Sequence, residues 1–439
     1  MFRRRARRPR KPKVYRIPVE TYLVALAIAF ALSVALSMLA KPKEVHYLLP
    51  HSFSVKDDAF LPSAHALSDP SVVSGTRVRI LENGDRIFPA MLDAISRSTR
   101  TINLEAYIFW SGKVGSKFRD ALSDRARNGV EVRLILDAVG SPKSKLAESD
   151  VLAMRQAGCV IHMYHPLKPW MLNSFNNRTH RRILVIDGKV GFTGGVGFAD
   201  EWLGDADGPA HWRETQLEVE GPVVAQLQAA FLDNWAESRG EALLGEKFYP
   251  KLVPEGPARS QVTHSTARAP SSATKLLYGV SIAAAQERIY LSNSYFLPDR
   301  ETSAALIEAA KRGVDVEIIV PGAVNDVPAT KAGGRSSFGA LLNGGVKIFE
   351  YQPTMFHPKT LVVDGIFSIV GSANFDNRSF RLNDEIDLSV YDEAIGKAME
   401  ELFRKDRGRS RRYTREQYLS RSWKDRLFEW AVLPFRSQL

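Results

Sequence analysis

A chain of 439 residues is long enough for two domains with complete hydrophobic cores. Its single cysteine excludes an intramolecular disulfide framework, and no Cys/His cluster has zinc spacing. The net charge of +11 sits at the ends: residues 1–13 carry eight Lys/Arg and no acid, and residues 404–426 carry ten against three, which leaves residues 14–403 at −4 and a poor match for a nucleic acid.

Residues 1–20 form a basic tail, followed by Thr21–Ala40, twenty residues without a formal charge. At about 1.5 Å per residue such a helix spans roughly 30 Å, the thickness of a bilayer core. The run is long for a signal-peptide core and Met38-Leu39-Ala40 lacks a small-x-small cleavage pattern, so a transmembrane anchor is predicted over 21–40. Eight cations before the span outweigh Lys41 and Lys43 after it. This predicts a cytoplasmic amino end and a body on the outer face of the membrane, periplasmic if the cell has an outer membrane. Residues 41–76, with scattered Pro, Ser and His, read as a linker leading to a first strand.

From Val78 the chain alternates predicted strands (78–81, 102–109, 130–137, 160–164) with predicted helices (near 88–95, 114–127 and 146–157). That order argues an α/β sheet covered on both faces, in a first domain over 77–251. A second domain over 276–403 repeats it. Gly129-Val130-Glu131-Val132 matches Gly313-Val314-Asp315-Val316, and Gly158, Ile161, Tyr164 and Pro166 match Gly345, Ile348, Tyr351 and Pro353. Cys159 falls opposite Val346 and reads as a buried apolar filler. Residues 252–275, with Pro254, Pro257 and Pro270 among Ser, Thr and Ala, read as an interdomain linker. Lys331 and Arg335, around the Gly/Ser-rich stretch 332–337, read as solvated loop charges or as a second phosphate contact. In the basic tail 404–439, Trp423, Leu427 and Trp430 have helical spacing. They fit an interfacial amphipathic helix or a helix docked on the body.

The second domain contains His357-Pro358-Lys359-Thr360-Leu361-Val362-Val363-Asp364-Gly365. His357 and Lys359, two apart on a strand, leave from one face, and Asp364, at an odd offset, points the other way. Asp364-Gly365 reads as a tight turn between two strands. Gly371-Ser372-Ala373-Asn374 then returns a hydroxyl and an amide to the same end. Imidazole, ammonium, hydroxyl and amide converging on one spot suit a phosphate oxyanion. The first domain repeats the pattern as His180, Arg182 and Asp187-Gly188, followed by Gly194-Gly195-Val196-Gly197. Between Pro166 and His180 an apolar insertion at 167–178 (Trp170, Met171, Phe175) fits either a lip that contacts lipid or a loop packed on its own domain.

This duplicated His-x-Lys/Arg-x4-Asp motif resembles the phospholipase D superfamily. Gly-Phe-Thr-Gly-Gly at 191–195, Gly-Ser-Ala-Asn-Phe-Asp-Asn-Arg-Ser at 371–379 and the predicted anchor look most like its bacterial cardiolipin synthase branch. The resemblance covers about 77–403. It implies two phospholipase D-like domains, each a mixed β-sheet flanked by helices, related by a pseudo-twofold axis with the active site between them. It implies phospholipid substrates such as phosphatidylglycerol at a membrane surface, no cofactor, no required metal and no nucleic-acid partner. Two positions depart from the pattern: Arg182 stands where Lys is usual and Gly197 where Asn commonly sits, so unequal contributions from the halves are expected.

Two histidines in one cleft can share phosphodiester exchange, one attacking phosphorus and the other protonating the departing alcohol. The resemblance favours His180 as nucleophile and His357 as acid/base. Glu214 and Glu385 resemble the acidic partners of the catalytic histidines. Arg182, Lys359, Gly195, Ser372 and Asn374 are expected at the phosphate, and Asp187 and Asp364 in structural roles. The expected activity is phosphatidyl transfer through a phosphohistidine. Hydrolysis by the same intermediate, a nucleic-acid phosphodiesterase and a non-catalytic lipid-binding scaffold stand as alternatives.

Overall fold

The computed structural model describes residues 53–58, 60–66, 70–166, 176–266, 273–436 and 438. The predicted anchor at 21–40 and Trp170, Met171 and Phe175 lie outside these residues. No helix among the described residues is long and apolar enough to cross a membrane.

Among the described residues sixteen strands form in chain order. The first half contributes β1 (Val73–Glu82), β2 (Thr101–Ala106), β3 (Glu131–Asp137), β4 (Val160–Tyr164), the short β5 (Arg178–Thr179), β6 (Ile183–Ile186), β7 (Val190–Gly194) and β8 (Thr215–Glu220). The second contributes β9 (Ala258–Ser265), β10 (Arg288–Asn293), β11 (Asp315–Pro321), β12 (Lys347–Tyr351), β13 (Lys359–Val363), β14 (Phe367–Gly371), β15 (Asn383–Tyr391) and β16 (Ser410–Tyr413). The order β4-β3-β2-β6-β7-β8-β1 meets its counterpart β9-β15-β14-β13-β10-β11-β12, with β16 on the far edge. Within each half the three strands separated by helices are parallel and the hairpin strands antiparallel, giving a mixed sheet.

The inner strands such as β2 and β13 are buried along their whole length, because helices cover both faces, whereas β1, β4 and β16 are partly exposed. The helices Asn83–Ser96, Lys113–Arg127 and Glu148–Gln156 close one face of the first half around Ile95, Leu104, Phe118, Leu134 and Met154. On the other face, Ile183, Phe231 and Trp235 share one hydrophobic cluster with Tyr290, Val362, Ile386 and Phe403 of the second half. Each repeat therefore keeps a core of its own on one face and shares a third cluster with the other repeat on the opposite face.

Four expectations are corrected. Residues 53–66 are not linker: Val55 and Phe60 are fully buried in the second half's core, and Phe60 meets Phe367 edge-on at 5.0 Å. The expected linker 252–275 contains β9, which joins the halves by pairing with both β15 and β1. The Gly/Ser-rich stretch 332–337 lies inside the helix Pro328–Asn343, where Arg335 pairs with Glu350 at 2.7 Å and Lys331 donates to the Gly322 carbonyl. The boundary at 404 moves, because residues beyond it finish the helix Glu393–Gly408 and add β16 to the sheet; the helix Trp423–Val432 packs on Pro328–Asn343, one of the two forms expected of it.

Candidate active site

Each motif is a hairpin with its Asp at the rear. Asp187-Gly188 (φ 52° and 65°) and Asp364-Gly365 (φ 51° and 67°) both occupy the left-handed region that a type I′ turn requires. The Asp364 carboxylate accepts the backbone N–H groups of Gln286, Glu287 and Arg288 at 2.8–2.9 Å. Asp187 accepts those of Thr99, Arg100 and Thr101 at 2.7–2.8 Å. Each hairpin is thereby tied to the chain entering the strand beside it, β10 or β2.

At the front, each histidine is held by the opposite half. The His180 N–H donates to the Asp384 carbonyl at 2.8 Å, and the His357 N–H to the Arg213 carbonyl at 3.0 Å. The residues after those carbonyls supply the carboxylates. Both Glu385 oxygens lie 2.9 Å from His180 Nδ1, and Glu214 Oε2 lies 2.5 Å from His357 Nδ1. All four side chains are buried. The spacing of His and Glu within each half, 34 residues from His180 to Glu214 and 28 from His357 to Glu385, carries no sign of this crossing.

The other ring nitrogen faces the motif cation. Arg182 Nη2 is 2.9 Å from His180 Nε2, whereas Lys359 Nζ lies against the His357 ring, 3.0 Å from Nε2 and 3.1 Å from Nδ1. Arg182 only donates, so His180 Nε2 presents its lone pair while its Nδ1–H is donated to Glu385; the carboxylate of Glu214 likewise takes the Nδ1–H of His357. Burial, and then the Arg182 charge, push His180 down to about 4, against the pull of Glu385. Burial, Lys359, Arg182 and His180 hold His357 well below its ordinary value. Burial lowers Lys359 to about 7 despite Glu214. Burial raises Glu214, whereas for Glu385 the charge and hydrogen bond of His180, with Ser372 and Arg182, outweigh burial and keep it low. Burial disfavours the protonated forms of both imidazoles and of Lys359, and an anion placed among these groups and Arg182 would favour them again, so the cleft is complementary to an anion.

Among the expected phosphate contacts, Ser372 Oγ instead donates to Glu385 Oε2 at 2.5 Å. A Cβ at Gly195 would lie 2.5 Å from Glu214 Oε1, so that position gives room to the carboxylate. Both support the acids rather than face a phosphate. Asn374 stays at the cleft: Lys359 Nζ donates to Ser294 Oγ at 2.7 Å, which donates to Asn374 Oδ1 at 2.9 Å. Gly197 is filled by a neighbour, since a Cβ there would lie 2.8 Å from the Trp202 ring. Trp202 Nε1 donates to Glu214 Oε2 at 3.2 Å, and its ring meets His357 edge-on at 5.2 Å.

Sequence reasoning missed Trp202, Ser294, Tyr107 and Tyr295. The two tyrosines sit just after β2 and β10 with their rings 5.1 Å from His180 and 6.1 Å from His357. Their recurrence after equivalent strands was the available signal. Among the described residues no group of three His, Cys, Asp or Glu is arranged to hold a metal ion.

The family described as cardiolipin synthase, PLD-like domain, matches residues 91–235 and 280–407, more than half of the chain. The chain is 35% identical over 356 residues to a probable cardiolipin synthase of Bacillus subtilis, covering 81% of this chain and 70% of that one. It is 35% identical over 347 residues to cardiolipin synthase A of Pseudomonas fluorescens, covering 79% and 71%. Among solved structures, phosphatidylserine synthase of Haemophilus influenzae aligns with a TM-score of 0.64 at 12% identity, over 87% of this chain and all of that one. This last likeness is one of fold.

Proposed function

The chain belongs to the cardiolipin synthase family of PLD-like proteins, and from that premise we propose a phosphatidyltransferase that joins a phosphatidyl group to a free hydroxyl of phosphatidylglycerol. The observation that carries this reading is the pair of crossed His–Glu contacts around a buried, cation-lined cleft. His180 Nε2 attacks phosphorus and forms a P–N bond, while the imidazolium that results keeps its Nδ1–H on Glu385. The P–O bond to the departing alcohol breaks, and His357 gives that oxygen its proton. The phosphodiester's own charge favours the protonated His357 needed for this step. The acceptor hydroxyl then yields its proton to His357, its oxygen bonds to phosphorus, and the P–N bond breaks. Arg182, Lys359 and Asn374 hold the non-bridging oxygens. Asp187 and Asp364 brace the hairpins. Membrane attachment through residues 21–40, with the body on the outer face, completes the proposal and rests on the charge pattern of the sequence.

The test is incubation of purified protein with labelled phosphatidylglycerol vesicles followed by lipid analysis. Cardiolipin plus glycerol is the expected outcome. Phosphatidic acid as the product would replace transfer by hydrolysis, and no product would leave a lipid-binding scaffold.

A further inference from the structure

We propose that the helix Trp423–Val432 and the turn after it form a second bilayer contact, specific for an anionic phospholipid surface, which presents the active-site rim to its lipid. The proposal rests on the phosphatidyltransferase reading for its purpose, and on surface chemistry for its geometry.

Twelve large apolar side chains are exposed among the described residues, and seven of them fall within 419–435. Both Trp423 and Trp430 are 70% exposed, with Leu427, Phe428, Leu433 and Phe435 beside them. Such a cluster is far from the scattered single exposures normal on a soluble surface. It is not a frayed end. Ser422 caps the helix by accepting the Asp425 N–H at 3.1 Å, and Val432 and Glu429 are buried on its inner face. Arg421 reaches Glu429 at 3.3 Å, and Arg436 donates to Ser337 Oγ at 2.6 Å. The helix is anchored on the body by one face while the other presents its indoles outward.

Charge selects the occupant. The chain leading into and opening this helix carries ten Lys/Arg and three acids over 404–426; Arg411 is paired with Glu350 at 3.4 Å, while Arg412, Arg415, Lys424 and Arg426 are exposed. A second copy of the chain would bring these cations against one another, whereas anionic headgroups neutralise them and take the indoles at the interface. The position is also suited to the reaction. Arg436 donates to the Pro298 carbonyl, and the helix Pro328–Asn343 beneath presses on Phe296, to whose carbonyl oxygen a Cβ at Gly334 would come within 2.3 Å. Ser294 and Tyr295, the start of that same segment, touch Lys359 and His357.

The full chain is reconstituted into vesicles of phosphatidylcholine alone or of an equal phosphatidylcholine–phosphatidylglycerol mixture, each with spin-labelled lipid as a quencher. Quenching of tryptophan emission should be stronger in the anionic vesicles, and the difference should vanish in the Trp423→Phe/Trp430→Phe variant. The Trp423→Ser/Leu427→Ser/Trp430→Ser variant should lose about tenfold in kcat/KM on bilayer phosphatidylglycerol while keeping its rate on a monomeric short-chain phosphatidylglycerol. Quenching unaffected by either lipid or variant overturns the proposal, as does tryptophan burial that tracks formation of a dimer. Quenching without turnover of either substrate would remove the catalytic reading and leave the bilayer contact standing.

Discussion

Glu385, in the second half of the chain, holds His180 of the first, with both carboxylate oxygens 2.9 Å from Nδ1. Glu214 returns the relationship to His357 at 2.5 Å. Neither repeat contains a complete His–Glu pair, so each half needs the other for tautomer control as well as for its share of the cleft. The shared cluster of Phe231 and Trp235 with Tyr290 and Phe403 makes the same demand on stability. Catalysis and folding are tied to one interface.

The crossing separates the two acids by step. Glu385→Gln leaves His180 free to adopt the wrong tautomer and should lower turnover by about 10²- to 10⁴-fold on every substrate. Glu214→Gln should cost as much on phosphatidylglycerol, because His357 must protonate an alkoxide there. On a p-nitrophenyl phosphodiester, whose leaving group needs no proton, the first burst of nitrophenol should survive in Glu214→Gln and in His357→Ala, but not in His180→Ala. A burst in His180→Ala and none in His357→Ala would reverse the assignment of nucleophile.

Anion affinity should fall as pH rises through 7. Burial lowers Lys359 to about 7, and a bound anion would raise it again. By linkage, affinity is full below the free value and declines above it, up to about tenfold per pH unit for one proton. Sulfate, whose charge is constant over this range, is a suitable probe in calorimetry, and binding at pH 8 should take up protons from the buffer. Lys359→Arg keeps its charge and should remove most of the decline. An unchanged slope in that variant would assign the titration elsewhere.

The motif aspartates should matter for stability rather than chemistry. Asp364 is buried and satisfies three backbone N–H groups. Asp364→Ala strands those donors and should cost about 2–4 kcal/mol. Asp187 does the same in a more exposed setting, and Asp187→Ala should cost about 1–2 kcal/mol. Urea midpoints should shift with unchanged slope, while turnover per folded molecule stays within a few-fold of the parent. Loss of turnover without loss of stability would move these residues into the chemistry.

The hairpins were legible because period-two geometry fixes which side chains share a face, and Asp-Gly marks the turn. The crossed carboxylates were not, since swapping Glu214 and Glu385 between equivalent places leaves every spacing unchanged. β9 was hidden by its polarity: Ser260, Gln261 and Thr263 are buried beside β15 and against the helices Val224–Arg239 and Ala273–Ala284, and no apolar run announces them. The glycines of the helix Pro328–Asn343 suggested a loop, but a Cβ at Gly334 would strike the Phe296 carbonyl, so its absence serves close packing. In each case tertiary contact set the outcome that local composition could not carry.

Gly197 gives the sharpest contrast between sequence pattern and structure. By comparison with Asn374 it reads as a lost phosphate contact. In the fold the space is taken by Trp202, fully buried, with its N–H on Glu214 and its ring against His357. Gly197→Asn, which would match the second half, therefore should not improve the enzyme. Its Cβ would lie 2.8 Å from a ring that has nowhere to go, and overpacking of this kind costs about 1–3 kcal/mol. Turnover should fall with it, because the displaced indole loosens the Glu214–His357 pair. Trp202→Leu removes the clash but also the N–H, so adding it to Gly197→Asn should recover part of the stability and none of the turnover lost through Glu214. The two changes should couple by more than about 0.5 kcal/mol in a double-mutant cycle read from urea midpoints. Independent effects, or a Gly197→Asn enzyme as stable and as fast as the parent, would show that the glycine does not serve the tryptophan.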